Sequence, residues 1–372
     1  MISKEKRLSV TYENEWIYDI LLASSYEEVP EEIKGLGYDT HTKICIVTDS
    51  NVAKIYEKEL HTKLSEIFSD VKSFIFDAGE VSKNLDTIQK LYEFLIINRF
   101  ERKDLLLALG GGVVGDMTGF AAATYLRGID FIQIPTTLLA QVDSSIGGKT
   151  GVDFAQYKNM VGAFKQPKLV YMNLNVLKTL PREQFASGMA EALKSGLIRD
   201  AKYFSYLEEE RIRIQSVSEG EISRAVLGSC KVKREVVQKD PKEKGERALL
   251  NFGHTIGHAV EKLSDFSLYH GECVALGMAA ASYISWKLGN ITKNDLKRIE
   301  TAISAYELPI RLNVQEKNLS MTAEDILTAT KSDKKMEQGQ VKFILLQEIG
   351  NAYISREVSD ELLMDGIRYI LA

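Results

Sequence analysis

The sequence predicts an α/β N-terminal domain with a mainly parallel sheet, followed by a mainly α-helical C-terminal domain that carries a small β-hairpin. Two patterns favour this fold class. Short continuous apolar runs alternate with helix-like segments in the first half of the chain, whereas helical periodicity dominates after about residue 180. We therefore divide the chain into an N-terminal domain, residues 1–180, and a C-terminal domain, residues 181–372.

The predicted strands of the first domain are four short apolar runs that end in glycine or polar residues. They cover residues 43–49, 73–79, 105–112 and 131–137. Such runs are typical of strands buried on both faces, and the helices between them imply a parallel sheet, which binds ligands beyond the carboxyl ends of its strands. One of those helices is indicated by apolar residues at helical spacing: Ile88, Leu91, Tyr92, Leu95 and Ile96.

The second domain shows mainly helical patterns. Pro181 can occupy the first turn of a helix, whose apolar residues recur at helical spacing: Phe185, Met189, Leu193 and Leu197. A capping box from Thr322 to Asp325 predicts the start of another helix. Residues 341–355 are the exception, because they form two apolar runs on either side of Gly350 and so predict a hairpin.

Composition and charge exclude several classes of protein. The 372 residues carry a net charge of −5, whereas a nucleic-acid-binding protein needs a basic surface. We find neither an apolar signal core nor an apolar run long enough to span a membrane. The cysteines, Cys45, Cys230 and Cys273, are odd in number and far apart, which favours a reducing compartment, and Cys45 is expected to be a buried thiol. We therefore expect a cytoplasmic protein.

A glycine-rich segment, GGGVVGD (110–116), follows the third apolar run and precedes a helical run. Glycines there let the backbone approach a phosphate, and the helix N-terminus supplies unpaired N–H groups, as in a Rossmann-like nucleotide site. A tight strand-to-helix turn is the alternative. The position is also unusual, because this motif normally follows the first strand. Here the plausible ribose-binding carboxylate, Asp49, lies upstream of it rather than about twenty residues downstream.

Three of the five histidines lie close together in the sequence: His254, His258 and His270. His254 and His258 are four residues apart, which places them on one face of a helix at a spacing used for metal ligands. Glu191 and Lys194 offer polar groups on an otherwise mostly apolar helix. We therefore predict a metal site rather than a pair of core or capping histidines. The residues alone leave open which three of Glu191, His254, His258 and His270 bind the ion.

Several potential anion-binding side chains occur in apolar or glycine-rich contexts. Each alone is more typical of an exposed surface charge. Together with the metal site and the glycine loop, they predict a small substrate with more than one negative group. They are Asp143, Lys149, Lys158, Asn159, Lys194, Lys233, Arg247, Asn251 and Lys334.

At these motifs the chain resembles the 3-dehydroquinate synthase family of sugar-phosphate cyclases. The matching segments span most of the chain in the family's order and are jointly specific. They are GEVSK (79–83), GGGVVGDMTGF (110–120), RGIDFIQIPTTLLAQVDSSIGGKT (127–150), KNMVGAF (158–164), LKTLP (177–181), GMAEALK (188–194), RALLNFGHTIGHA (247–259), HGE (270–272) and SDKK (332–335).

The resemblance implies a lyase of the shikimate pathway, which leads to chorismate and the aromatic amino acids. Its substrate would be 3-deoxy-D-arabino-heptulosonate 7-phosphate, and its products 3-dehydroquinate and phosphate. NAD would be reduced transiently, phosphate eliminated, the hydride returned and the ring closed by an intramolecular aldol step. The resemblance also implies a homodimer and one zinc ion, with cobalt as a substitute. The implied metal ligands are Glu191, His254 and His270.

The other site residues follow from the same resemblance. The implied NAD contacts are Asp49, Glu80, Lys83, Gly111, Gly112, Val113, Asp116, Thr136, Thr137, Lys149, Lys158 and Thr179. The implied substrate contacts are Asp143, Lys149, Asn159, Lys194, Lys233, Arg247, Asn251, His258 and Lys334. Arg127 would reach the phosphate of a substrate bound to the neighbouring subunit.

Two segments depart from the family pattern. A glutamate that is common in the family falls on Gln184, next to Glu183, so the sequence does not decide which of them contacts the cofactor. The segment VDFAQ (152–156) differs from the family's usual loop but leaves Lys149, Lys158 and Asn159 in place.

Three other functions remain open from the sequence. A metal-dependent polyol dehydrogenase would share the glycine loop and the histidines, but it would accumulate NADH and has no need for so many anion-binding lysines. A sister sugar-phosphate cyclase fits less well, because Lys149, Lys233, Arg247 and Lys334 suit a carboxylate as well as a phosphate. In a non-catalytic NAD- or metal-sensing module, Glu191, Lys194 and Asp143 would be superfluous.

Overall fold

The structure is a computed structural model and describes residues 6–155, 157–240, 245–265, 267–315, 317, 319–332 and 342–371. The chain divides into two compact units, residues 1–180 and 181–372. Within the described residues, no helix has the length and apolar character that a bilayer-spanning segment needs.

The first unit contains a seven-stranded sheet and a separate two-stranded hairpin. Its strands are β1 (Arg7–Tyr12), β2 (Glu15–Ala23), β3 (Ile44–Asp49), β4 (Val71–Phe76), β5 (Leu105–Gly110), β6 (Asp130–Pro135), β7 (Lys149–Phe154), β8 (Tyr157–Phe164) and β9 (Leu169–Asn173). The sheet has the order β1-β2-β9-β6-β5-β3-β4, with only β1 antiparallel to its neighbour. Strands β7 and β8 form the antiparallel hairpin.

The helices of the first unit connect these strands. They are α1 (Val29–Gly35), α2 (Ser50–Val52), α3 (Lys58–Ser65), α4 (Leu85–Ile97) and α5 (Gly112–Thr124). A π-helical turn, Ala53–Glu57, joins α2 to α3, and a second one, Ala140–Ser144, follows β6. Short 3-10 turns occur at Glu80–Ser82, Tyr125–Arg127 and Leu174–Thr179.

The mainly parallel sheet confirms the predicted fold class. The four apolar runs form β3, β4, β5 and β6, and every residue of β5 is buried. The three free cysteines are also buried, as expected for Cys45. The β7–β8 hairpin was not predicted, because no residue of β8 is buried and the strand lacks the continuous apolar run of the predicted strands.

The strand order explains the unusual position of the glycine motif. The parallel strands follow the spatial order β4-β3-β5-β6-β9, so the chain moves outward from β3 to β4 and then returns to β5 on the other side of β3. In such sheets the crevice for a ligand opens at the carboxyl ends of the two strands where the winding reverses. Here those strands are β3, which ends at Asp49, and β5, which leads into the glycines.

The second unit is mainly helical. Its helices are α6 (Arg182–Arg199), α7 (Ala201–Glu209), α8 (Arg211–Gln215), α9 (Glu219–Lys239), α10 (His254–Leu263), α11 (His270–Lys287), α12 (Lys293–Ala305), α13 (Ala323–Ser332) and α14 (Asp360–Leu371). A 3-10 segment, Glu246–Asn251, precedes α10. The strands β10 (Phe343–Glu348) and β11 (Asn351–Ser355) form the hairpin predicted around Gly350.

Two predicted helix starts can be compared with the structure. Pro181 lies at the N-cap of α6 rather than within its first turn, and its carbonyl accepts the first backbone hydrogen bond, from Phe185. The capping box before α13 is confirmed, because the side chains of Thr322 and Asp325 each accept the backbone N–H of the other residue.

Glycines allow three helices of the second unit to pack with their backbones in contact. A β-carbon at Gly271 would lie 2.3 Å from Cα of Ser187, which fixes the start of α11 against α6. A β-carbon at Gly277 would lie 1.7 Å from the carbonyl oxygen of Gly253, at the start of α10. Because real side chains do not approach this closely, α6, α10 and α11 depend on glycine for their spacing.

Candidate functional site

The carboxyl edge of the sheet in the first unit brings together residues from three neighbouring strands. Asp49 ends β3, Gly110 ends β5, and Thr136 follows β6. The backbone N–H of Thr136 donates to the carbonyl of Gly110 at 2.9 Å, so these loops are in direct contact. The structure therefore places together residues that are far apart in the sequence.

The glycine loop forms an open helix N-terminus at this edge. Gly111 is the N-cap of α5, and no side chain caps the first turn. A β-carbon at Gly111 would lie 3.0 Å from Cγ2 of Thr137, and one at Gly112 would lie 3.1 Å from Oγ of Ser144. The glycines let Thr137 and Ser144 pack against the loop, and the first amides of α5, which no side chain caps, can bind an anion.

Two further side chains at this edge suit a dinucleotide. The hydroxyl of Thr136 is buried without a hydrogen-bond partner, which is costly unless a ligand supplies one. Asp49 accepts the backbone N–H groups of Asn51 and Val52 through Oδ1, at 2.8 and 3.0 Å, and these bonds fix its carboxylate. A pyrophosphate on the amides and a ribose hydroxyl on the carboxylate would use both features.

Lys83 is the buried cation of this region, with 4% of its surface exposed. Its ammonium group donates to Oδ2 of Asp116 at 2.7 Å and to Oδ1 of Asn159 at 2.6 Å. Burial lowers the pKa of Lys83, but the carboxylates of Asp116 and Glu80 raise it above the ordinary value. Lys158 lies nearby, with its Nζ 3.9 Å from Oε1 of Glu80. Lys83 therefore stays charged and joins α5 to β8.

The other predicted residues of the first unit occupy different surroundings. Asp143 is half-buried in the second π-helical turn, and Lys149 is exposed at the start of β7. The hydroxyl of Thr179 is hydrogen-bonded to that of Tyr56.

Arg127 is exposed and has a φ of 67°, directly after Leu126 with a φ of 50°. Two consecutive non-glycine residues in the left-handed region are unusual.

The second unit contains a cluster of one carboxylate and two imidazoles. Glu191 lies on α6, whereas His254 and His270 are the first residues of α10 and α11. Oε1 of Glu191 lies 3.5 Å from Nε2 of His254 and 3.7 Å from Nε2 of His270. Candidate ligand atoms of the three residues all lie within 4.8 Å of one another.

Both imidazoles are oriented by acceptors on their Nδ1 atoms. Nδ1 of His254 is 3.2 Å from the carbonyl oxygen of Phe252, and Nδ1 of His270 is 3.4 Å from Oε2 of Glu261. A carbonyl or carboxylate oxygen only accepts, so each Nδ1 donates and each Nε2 is directed toward Glu191. Such outer acceptors are the usual means of holding metal-binding histidines in place.

These three residues fit a tetrahedral metal ion. Bonds of about 2.0–2.2 Å to nitrogen and oxygen place the ligand atoms of a tetrahedral zinc ion about 3.3–3.6 Å apart. Oε1 of Glu191 lies 3.5 and 3.7 Å from the two Nε2 atoms, close to that range. Neither oxygen of the buried Glu191 carboxylate has a hydrogen bond of good geometry. Three protein ligands would leave a fourth position for a substrate oxygen.

His258 belongs to a different group of side chains. Its ring lies 5.1 Å from that of His254, as expected for two residues on one face of α10. A second set of possible ligands is His258, Glu261 and His270, in which Glu261 already contacts Nδ1 of His270. The set with Glu191 is favoured, because it uses the nitrogens that the outer acceptors leave available.

The protonation states of the cluster follow from its charges. Burial raises the pKa of Glu191, but the ammonium group of Lys194 lowers it well below the ordinary value. Burial and the charge of Lys194 lower the pKa of His254, so its imidazole is neutral. Burial lowers the pKa of His270, but Glu191 and Glu261 raise it to about 9. Without a metal, His270 is therefore protonated at neutral pH.

One buried cation contacts the cluster, and two more are buried on elements that pack on α6. Lys194 forms an ion pair with Glu191, while Lys233 and Arg247 are 7% and 3% exposed. Lysine and arginine are rarely buried unless they are paired. Helices α6 and α9 and the 3-10 segment Glu246–Asn251 pack on one another, and Arg247 and Asn251 lie on that segment. This part of the unit suits an anionic substrate.

Two predictions stay predictions. Lys334 lies outside the described residues. Gln184 is half-buried and Glu183 exposed in the first turn of α6, which leaves the choice between them a prediction.

Sequence reasoning missed Glu261, which is three residues after His258 on the predicted helix and could have been found from that spacing.

A glycine loop at the edge of a parallel sheet and a carboxylate–imidazole cluster among helices define a class of enzymes that pair a nucleotide cofactor with a metal ion. Family models narrow this class. Residues 73–187 match the 3-dehydroquinate synthase N-terminal model, and residues 188–336 match the C-terminal model. The chain belongs to the 3-dehydroquinate synthase family, which confirms the resemblance seen in the sequence motifs.

Individual relatives agree with the family models. The chain is 41% identical to the 3-dehydroquinate synthase of Acetivibrio thermocellus, over 95% of this chain and 96% of the relative. It is 44% identical to the enzyme of Nostoc punctiforme, over 93% and 94%. Among solved structures, 2-epi-5-epi-valiolone synthase from Streptomyces hygroscopicus, with NAD+ and Zn2+ bound, is 27% identical with a TM-score of 0.86, covering 98% of this chain and 99% of that one.

Proposed function

We propose that this chain converts 3-deoxy-D-arabino-heptulosonate 7-phosphate to 3-dehydroquinate and inorganic phosphate. The observation that carries the proposal is the cluster of Glu191, His254 and His270 beside the buried Lys194. A metal-binding trio next to buried cations suits a substrate that bears both a reacting hydroxyl and anionic groups. The curated relatives named 3-dehydroquinate synthase support the same reaction.

The proposed cofactors are NAD and one zinc ion, with cobalt as a substitute. When bound, NAD would take a hydride from the substrate and return it, and the metal would lower the pKa of the hydroxyl that is oxidised. Glu191, His254 and His270 would hold the metal. The residues proposed to hold NAD are Asp49, Glu80, Lys83, Gly111, Gly112, Val113, Asp116, Thr136, Thr137, Lys149, Lys158 and Thr179.

The substrate residues divide by the anion they would bind. Lys149, Asn159 and Lys334 are assigned to the phosphate, and Lys233 and Arg247 to the carboxylate. The planar guanidinium group of Arg247 suits a carboxylate, because its N–H groups can donate to both oxygens. The remaining substrate contacts are assigned to Asp143, Lys194, Asn251 and His258. Lys194 has a second role, because its ammonium group keeps the buried Glu191 ionised.

The proposed functional unit is a cytoplasmic homodimer. The buried free thiols support a reducing compartment. Arg127 supports the dimer, because its strained turn presents an exposed guanidinium group that we assign to the substrate of the neighbouring subunit. Full activity at nanomolar concentration from a protein that sediments as a monomer would contradict this assignment.

The test is phosphate release from the heptulosonate phosphate, with NAD and metal each omitted in turn. We expect many turnovers at substoichiometric NAD, with no steady growth of NADH absorbance, and loss of activity on chelation. NADH that accumulates in step with product would replace this function by that of a polyol dehydrogenase. Preference for an analogue that lacks the carboxylate would indicate a sister cyclase.

A further inference from the structure

The β7–β8 hairpin is tied to the segment that carries Lys83 by a closed ring of three hydrogen bonds. The backbone N–H of Asp153 donates to the carbonyl of Lys83 at 2.8 Å. The backbone N–H of Asn159 donates to Oδ1 of Asp153 at 2.7 Å. The ammonium group of Lys83 donates to Oδ1 of Asn159 at 2.6 Å. Each of the three residues is therefore held by the other two.

The backbone at this point departs from a regular hairpin. The register between β7 and β8 shifts between Val152 and Phe154, where the single residue Asp153 on β7 faces three residues, 158–160, on β8, so the extra residues of this bulge surround Asn159. Asn159 has a φ of 55°, in the left-handed region. A bulge redirects a side chain, and asparagine tolerates the left-handed conformation better than most residues do. These two irregularities let the Asp153 carboxylate accept the Asn159 amide within the hairpin.

The ring also reaches the glycine-loop helix. Lys83 donates to Asp116 on α5 as well as to Asn159, so one ammonium group contacts a residue assigned to NAD and a residue assigned to the substrate phosphate. A β-carbon at Gly119 of α5 would lie 2.3 Å from Cγ2 of Thr150 on β7. The hairpin is thus packed closely on α5.

We propose that Asp153 is a positioning residue, which holds Asn159 where it can bind the substrate phosphate. Through Lys83, Asp153 would also keep Asn159 aligned with the glycine loop and α5. The proposal rests on the proposed function of Asn159. A bare carboxylate near a phosphate subsite would repel the ligand. Here its Oδ1 accepts the Asn159 amide, and Lys83 is near enough for its positive charge to interact with Asp153.

The position of Asp153 in the sequence adds to this argument. It lies in VDFAQ, the segment where the resemblance to the family is interrupted, while Lys158 and Asn159 on the facing strand retain the family pattern. The structure assigns this segment a role in the candidate site, because the Asp153 carboxylate accepts the backbone N–H of Asn159.

The first experiment compares Asp153→Ala with Asp153→Asn in the full-length enzyme. The alanine variant loses the acceptor, and we expect its KM for the heptulosonate phosphate to rise roughly threefold to tenfold, as for loss of one hydrogen bond, with a smaller change in kcat. The asparagine variant keeps an oxygen at Oδ1 and should restore most of the affinity. An unchanged KM in Asp153→Ala, or no rescue by asparagine, would overturn the proposal.

A double-mutant cycle tests whether Asp153 acts through Asn159. If it does, Asp153→Ala combined with Asn159→Ala should be no worse than Asn159→Ala alone, because the positioned group is already missing. If the effects of the two substitutions on KM add fully, Asp153 acts elsewhere and the proposal is refuted.

Hydrogen exchange separates this inference from the proposed function. The Asn159 amide should exchange faster in Asp153→Ala than in the wild type or in Asp153→Asn. If the wild type releases no phosphate from the substrate, the proposed function fails, whereas the exchange rates still decide whether Asp153 holds Asn159. Equal exchange in all three proteins would remove the positioning role even if the enzyme is active.

Discussion

The two candidate sites of this molecule are built from different parts of the chain. The first unit uses backbone: glycines, helix amides and loops at the ends of β3, β5 and β6. The second unit uses side chains, because Glu191, His254 and His270 come from three helices. A site built from backbone groups should be sensitive to added side-chain volume near the backbone. A site built from side chains should be sensitive to the loss of any single donor atom. The predictions below test this difference.

The largest effect is expected for a metal ligand. His270→Ala removes one of three donors and should abolish stoichiometric metal binding, because two remaining ligands do not complete the site. His258→Ala is the matched control on the neighbouring ring and should keep most of the metal. Metal content after gel filtration measures both. Loss of metal from His258→Ala with retention in His270→Ala would show that the helical pair is the true site.

A smaller effect is expected for Glu261, which contacts Nδ1 of His270. Glu261→Ala should weaken metal binding by about 10–100-fold, since an outer acceptor that orients a metal-bound histidine is removed. Glu261→Gln keeps an acceptor oxygen and should recover part of the loss. The visible spectrum of the cobalt-loaded protein reports the ligand geometry as well as the affinity. Unchanged affinity in the alanine variant would rule out this role.

The backbone site is expected to respond to added volume. Gly111→Ala places a methyl group 3.0 Å from Cγ2 of Thr137 at the N-cap of α5, so the side chain of Thr137, a residue proposed to hold NAD, has to shift. We expect NAD binding to weaken roughly threefold to tenfold, as for loss of one hydrogen bond. Gly220→Ala on α9 is the control, because nothing lies within 4 Å of its β-carbon. Calorimetric titration with NAD measures both, and equal weakening would show a general effect on the fold.

The smallest expected effect is the number of protons released when the metal binds. The pKa of His270 is raised to about 9 by its two carboxylate neighbours, while Glu191 is ionised and His254 neutral. Metal binding at pH 7 must therefore displace about one proton, from His270. The apparent metal affinity should rise with pH and level off as pH passes the raised pKa. Calorimetry in buffers of different ionisation enthalpy gives the count, and release of no proton would contradict the assigned protonation states.

The same difference explains what the sequence could predict. The β3, β5 and β6 strands and the glycine loop lie in continuous segments, so local pattern was enough to find them. The choice among Glu191, His254, His258 and His270 depends on how three helices pack, which no local pattern contains. The hairpin that carries Asp153 escaped prediction because its bulge and left-handed residues are set by tertiary hydrogen bonds.

The close contact of Gly277 with Gly253 has a consequence for engineering the metal centre. Helices α10 and α11 each carry a candidate ligand at their first residue, so the distance between the two helices affects the spacing of these imidazoles. That distance is fixed by the absence of side chains, not by the ligands themselves. A methyl group at Gly277 would clash with the backbone of Gly253, so α10 and α11 would have to separate, and the spacing of the two imidazoles therefore depends on a residue outside the cluster.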